Sequence, residues 1–249
     1  MIKFRKMHGL GNDFVIMDAI PLKKMDIQRI CDRNRGVGCD QLIVLEPSAR
    51  ADIFMRIYNP DGSQAGACGN ATRCVADIVM TDKGQKECTI ETVSGILSCR
   101  HAGEKRVTVD MGVPKVGRVD LAGDPVTVDV GNPHCVFFVE DAQTADVAGI
   151  GPSIETHPLF LNRTNVEFVS VLGKDHLRMR VWERGAGITQ ACGTGACASA
   201  VAAITRGLTG RKVTVTLDGG DLTIEWREAD GHIFMTGPLE YVFEGTILI

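Results

Sequence analysis

The chain has 249 residues, 44% hydrophobic and 23% charged, with 27 Lys and Arg against 31 Asp and Glu for a formal charge of −4. Such a composition folds, which excludes disorder as the main state, and it carries no basic footprint for nucleic acid or an anionic membrane. Nine cysteines without a CxxC pair fit reduced thiols in a cytoplasm rather than a disulfide framework.

In chain order, residues 52–58 form the first well-marked strand, alternating and rich in β-branched side chains. After Cys68 the apolar side chains of Ala71, Cys74, Val75, Ile78 and Val79 recur at helical spacing, with Arg73, Asp77 and Asp82 opposite. That pattern predicts an amphipathic helix stopped by Gly84. Strands follow at 88–93, 106–111, 126–130, 165–171 and 177–182. The run 196–204 is helix-prone and small or apolar on every side, so a buried helix is expected there, ended by Gly207. It is also the longest run of its kind and falls far short of the ~18 residues of a spanning helix. Two further strands are expected at 212–217 and 221–226. The opening Met1-Ile-Lys-Phe-Arg-Lys-Met7 lacks the apolar core of a signal peptide.

The second half repeats the first. Met55-Arg-Ile-Tyr-Asn59 aligns with Met179-Arg-Val-Trp-Glu183 at an offset of 124, and the same offset places Ala67-Cys-Gly69 on Ala191-Cys-Gly193. Downstream, Gly95-Ile-Leu-Ser98 falls on Gly220-Asp-Leu-Thr223. Upstream, Gly11-Asn12 and the strand after it resemble Gly131-Asn132 and theirs at an offset of 120. Serial matches at near-constant offset predict two copies of one α+β fold, each a mainly antiparallel sheet wrapped around a central helix. The expected halves are 1–116, with 238–249 returning to it, and 117–237.

The repeat also singles out chemistry. Cys68 and Cys192 each sit just before a central helix, where unpaired backbone N–H groups and the positive end of the dipole favour a thiolate. Gly69 and Gly193 leave the backbone open to an anion such as a carboxylate. Two matched thiols in a cleft between the halves suit one reaction: removing a proton from one face of a stereocentre and returning it on the other. The spacings Cys68-x5-Cys74 and Cys192-x4-Cys197 put both partners on one helix, which disfavours a zinc site, and no pyridoxal phosphate signature is present.

Eight blocks carry a resemblance over essentially the whole chain: His8-Gly-Leu-Gly-Asn-Asp-Phe14, Gly36-Val-Gly-Cys-Asp-Gln41, Asn59-Pro-Asp-Gly-Ser63, Ala67-Cys-Gly-Asn70, Gly131-Asn-Pro-His134, Asn162-Arg-Thr-Asn165, Trp182-Glu-Arg-Gly-Ala-Gly187 and Ala191-Cys-Gly-Thr-Gly-Ala-Cys197. The sequence resembles the diaminopimelate epimerases. The resemblance implies a cofactor-independent interconversion of LL- and meso-diaminopimelate in lysine and cell-wall precursor synthesis, by two pseudo-symmetric domains closing over an amino-acid substrate, commonly as a cytoplasmic homodimer. Cys68 and Cys192 stand at the family's acid/base positions, and His134 and Glu183 at positions that modulate the thiols. Substrate contacts are implied for Asn12, Gln41, Asn59, Gly69, Asn70, Asn132, Asn165, Glu183, Arg184, Gly193 and Thr194. Arg184 can grip a second carboxylate by its fork.

Ala71 and Gln64 depart from the family's more usual Gly and Glu, and the chain is short around 142–164. The alternative enzyme is a sister racemase acting on histidine, proline or hydroxyproline; the alternative class is a small-ligand binder that never exchanges the α-hydrogen.

Overall fold

The computed structural model describes residues 1–248. It divides into two units, Met1–Val109 with Gly237–Ile249, and Asp110–Thr236.

In the first unit, β1 (Ile2–Gly9) and β2 (Asn12–Asp18) form a hairpin. Its two-residue turn, Leu10-Gly11, has φ of 59° and 81°, the positive values that tight hairpin turns require. Helix α1 (Lys24–Cys31) carries the chain over to β3 (Gln41–Glu46), parallel to β2, and β4 (Ile53–Tyr58) turns back antiparallel on β3. The far edge of β4 is shared by the short antiparallel β5 (Gln64–Ala65) and the parallel β6 (Glu87–Thr92). Between them runs α2 (Gly69–Lys83), and β7 (Gly95–His101) and β8 (Arg106–Asp110) complete the meander.

The second unit repeats these pairings step for step. Strands β9 (Lys115–Arg118), β10 (Val126–Asp129) and β11 (Pro133–Phe138) pair antiparallel, and α3 (Val147–Glu155) leads to β12 (Asn165–Gly173), parallel to β11. Strand β13 (His176–Glu183) returns antiparallel, and its far edge takes the short β14 (Gly187–Ile188) and the parallel β15 (Lys212–Leu217), with α4 (Gly193–Thr205) between. Then β16 (Gly220–Trp226) and β17 (Ile233–Pro238) follow as a meander. Last, β18 (Glu240–Ile247) lies antiparallel along β1, the place that β9 takes along β10.

The halves expected from spacing put the first boundary at 116/117, whereas the first unit ends at Val109. The reason is local: Met111 N–H donates to Ile233 O, Ile233 N–H donates to Gly112 O, and β9 pairs with β10, so this stretch is tied to the second unit.

Each sheet curls around its second helix. Helix α2 touches β1, β2, β4, β6 and β7, and α4 touches β10, β11, β12, β13, β15 and β16. Ala71, Cys74, Val75, Ala76, Ile78 and Met80 are thereby buried, as are residues 195–203 of α4. Large aliphatic side chains buried in this way each contribute roughly 1.5–3 kcal/mol. The helix from Cys68 is less amphipathic than its spacing suggests. Arg73, expected on the outer face, has 0% exposure. The sheet encloses that side too, and the buried Nε donates to Pro238 O at 3.2 Å. The helices α1 and α3 cover the opposite sheet faces, Ile27 and Ile30 packing with Val15, Met17, Leu42 and Val44, and Val147 with Cys135, Phe137, Val166 and Phe168. By the two-residue alternation of strands, Phe14 and Ile43 then face the α2 side, and His134 and Glu167 the α4 side. Among the described residues no helix is long and apolar enough to cross a membrane.

Candidate active site

Both helices of the repeat begin at their cysteine. Cys68 is the N-cap of α2 and Cys192 the N-cap of α4, each in extended backbone with φ of −150° and −121°. The residues after each, Gly69-Asn70 and Gly193-Thr194, supply the first-turn N–H groups that no intrahelical carbonyl can take.

In the first unit the half-buried Cys68 thiol donates weakly to Asn12 Oδ1 at 3.8 Å, the same oxygen that accepts from Asn70 Nδ2 at 3.1 Å. The Asn12 amide is held from its other end, Nδ2 donating to Asp40 Oδ2 at 2.9 Å. Asp40 is braced by Arg33 and by the Asp13 N–H, and Asp13 by Lys6 and Arg33. A second cluster pairs Gln41 Nε2 with Asn59 Oδ1 at 3.0 Å, while Asn59 Nδ2 donates to Ser63 Oγ at 3.1 Å. Gln41 Oε1 is buried without a hydrogen-bond partner among the described residues. Ala71 is a fully buried helical residue, and Gln64 accepts from Arg56 at 3.4 Å.

In the second unit Cys192 is 4% exposed, and its Sγ accepts the Gly195 N–H at 3.3 Å and lies 3.6 Å from Thr194 Oγ1. Glu183 lies close enough for its carboxylate to act on this thiol, and it accepts from the Thr189 hydroxyl. His134 is fully buried, its Nδ1 2.6 Å from Glu167 Oε1 and its Nε2 3.1 Å from Asn132 Oδ1. Asn165 donates to Pro133 O at 2.9 Å and accepts the Arg184 N–H at 2.9 Å. The exposed Arg184 guanidinium is tethered to Asn162 O at 2.8 Å. The region 142–164 holds α3, capped by Asp146.

The expected thiolate does not hold at Cys192. Burial pushes its pKa well above the ordinary thiol range, and the nearby Glu183 and Glu167 carboxylates add to this; the Thr194 and Gly195 hydrogen bonds oppose it but do not prevail. Burial likewise raises Glu183. Desolvation therefore outweighs the helix end, and the Cys192 thiol rests protonated. Among the described residues, no three His, Cys, Asp or Glu side chains gather as a metal site.

Spacing and motif missed two carboxylates, Asp40 and Glu167. Glu167 did leave a signal: it interrupts the apolar run Val166 to Val169, and the 124-residue offset of the repeat sets it against Ile43. Asp40 left none beyond its place beside Gln41.

The family model described as diaminopimelate epimerase matches residues 4–117 and 126–242. The chain is 52% identical to the diaminopimelate epimerase of Rhodospirillum centenum, covering 98% of this chain and 92% of that one. It is 48% identical to the diaminopimelate epimerase of Moorella thermoacetica, covering 97% and 98%. Solved structures share the fold at lower identity. A PhzF-family phenazine biosynthesis protein of Bacillus anthracis has a TM-score of 0.77 at 18% identity, over 100% of this chain and 99% of that one. A probable proline racemase of Agrobacterium radiobacter has a TM-score of 0.76 at 15% identity, over 100% and 93%. The model and these relatives agree over nearly the full length, and the chain belongs to the diaminopimelate epimerase family.

Proposed function

We propose that this protein is a two-base epimerase, interconverting LL- and meso-2,6-diaminopimelate without an organic cofactor, in lysine and peptidoglycan precursor synthesis. The observation that carries the reading is the duplicated cysteine–glycine entrance: one thiol capping the central helix of each unit. In one direction Cys68 takes the α-proton, so a C–H bond breaks as an S–H bond forms. Cys192 then returns its own proton to the opposite face and becomes the thiolate. In reverse the roles exchange. Backbone N–H groups at Gly69, Asn70, Gly193 and Thr194 hold the α-carboxylate and steady the charge that develops at the carbon. Asn12, Asn132 and Glu183 supply polar contacts near the reacting centre, and Gln41, Asn59, Asn165 and Arg184 select the distal amino-acid head. His134 and Glu183 tune the thiols.

Turnover of LL-diaminopimelate in deuterated water tests this, with deuterium expected at the inverted α-carbon. Cys68→Ala and Cys192→Ala should each reduce epimerisation by ~1,000-fold or more while leaving circular dichroism unchanged. Turnover of proline or hydroxyproline with none of diaminopimelate would move the assignment to a sister racemase, and an unexchanged α-hydrogen would leave only a binder. The reading also places the enzyme in the cytoplasm as a homodimer. Exposed Tyr241, Val242 and Phe243 on β18 are the apolar surface that pairing of two chains would cover, and light scattering reads that mass directly.

A further inference from the structure

The second unit buries an ionisable pair where the first has none. His134 and Glu167 each have 0% side-chain exposure. They lie on adjacent parallel strands, with Val136 opposite Glu167 and His134 two residues before it. The first unit has the same arrangement, Ile16 opposite Ile43 with Phe14 two residues before it, and Phe14 and Ile43 are both 0% exposed. One duplicated core position therefore holds a hydrocarbon pair and its counterpart a histidine and a carboxyl. A buried ionic pair is rarely more stabilising than a well-packed apolar one, so the fold itself gives no reason for the exchange.

The hydrogen bonds give one. Asn132 Oδ1 accepts from His134 Nε2 at 3.1 Å, which requires a proton on Nε2. The 2.6 Å contact between Nδ1 and Glu167 Oε1 holds a second proton, on imidazole or on carboxyl, so the pair is neutral as a whole. Without Glu167 the imidazole is free to carry its single proton on Nδ1. The bare Nε2 would then face an amide oxygen, and the Asn132 amide would turn over. The space is shaped for the carboxyl: a Cβ on Gly195 would stand 2.9 Å from Glu167 Oε1.

We propose that Glu167 is a positioning residue: through His134 it locks the Asn132 amide with its oxygen inward, leaving the N–H2 group to donate to the substrate carboxylate. This rests on the diaminopimelate reading above. It predicts that Asn132 presents a donor at every pH at which the enzyme works.

The double variant His134→Phe with Glu167→Ile copies the pair of the first unit. It should fold and melt at or above the parent's temperature, yet raise KM for LL-diaminopimelate at least tenfold, on top of any loss in kcat that removing His134 from the thiols brings. Glu167→Gln keeps a hydrogen bond to Nδ1, and with it the Nε2 proton, so its KM should stay within about threefold. A double variant with parental KM, or equal losses in both variants, overturns the proposal. Nitrogen-15 NMR of the unaltered protein needs no variant and no substrate: His134 Nε2 should be protonated throughout, and a bare Nε2 overturns the proposal whether or not the variants fold. If the parent fails to turn over diaminopimelate, the functional reading falls while the NMR result still judges the lock.

Discussion

Gly195 is the tightest point of the entrance to α4, and adding one methyl group there tests the described geometry. A Cβ at this position would lie 2.9 Å from Glu167 Oε1, closer than side-chain carbons tolerate, and 3.2 Å from Cys192 Sγ, close enough that the sulfur would have to shift by a few tenths of an ångström. Neither neighbour can retreat freely. Glu167 is fully buried and bonded to His134, and the sulfur is held by the Gly195 N–H. Overpacking of this kind costs about 1–3 kcal/mol, and loosening a charge-assisted hydrogen bond forfeits part of a further ~1.5–3 kcal/mol. Against this, alanine recovers about 1 kcal/mol of helix propensity over glycine. Gly195→Ala should therefore lose about 1–3 kcal/mol, which lowers Tm by roughly 2–12 °C. Displacing the thiol by a fraction of an ångström should also reduce kcat/KM about 10- to 100-fold. Thermal unfolding and LL-diaminopimelate kinetics measure the two effects. Gly173→Ala is the control, since a Cβ there meets nothing within 4 Å, and it should stay within about 0.5 kcal/mol. Parental Tm and activity in Gly195→Ala would refute the packing argument and with it the restraint on Cys192.

Because burial raises the Cys192 thiol, its labelling by iodoacetamide, followed by peptide mass spectrometry, should still be accelerating at about pH 10, where an ordinary thiol levels off. A plateau at or below about pH 10 would refute the upward shift. Arg184 is exposed and tethered only through its guanidinium and backbone N–H, so Arg184→Ala should shift Tm by less than about 2 °C while raising KM about tenfold or more. A loss above about 5 °C would make it a structural arginine. Burial alone would raise Asp13, but hydrogen bonds from Arg33 and Lys6 hold its carboxyl at about 2 against an ordinary 3.8. A carboxyl depressed on folding stabilises the native state above its unfolded pKa and loses that contribution as pH falls through the folded value. Stability should therefore decline from about pH 4 to pH 2 in the parent and less steeply in Asp13→Asn.

Much of the architecture was legible in the chain because duplication writes each element twice. The strand at 212–217 was placed to the residue, and Gly84, at φ 64°, ends α2 where glycine alone is comfortable. Period and punctuation, however, report on an element's own faces and not on what surrounds it. Arg73 looked outward by helical spacing, yet the sheet closes around that side of α2 as well. The same limit explains the thiols. Position at a helix N-terminus is local and readable, whereas the desolvation and the two carboxylates that set Cys192 come from residues distant in sequence. Glu167 was missed because a strand register, absent from a linear reading, is what places it beside His134.

The outer neighbour of each unit's opening strand arrives by a different route. β9 precedes β10 by a few residues, so the second unit can assemble from pairings close in the chain. β1 must wait for β18, with Ile2 set against Ile247. Long-range closure is the slow part of folding, so the unit carrying Cys68 should acquire its last strand, and the Pro238 carbonyl that receives Arg73, only after the other has formed. The two thiols thus mature in sequence, Cys192 first.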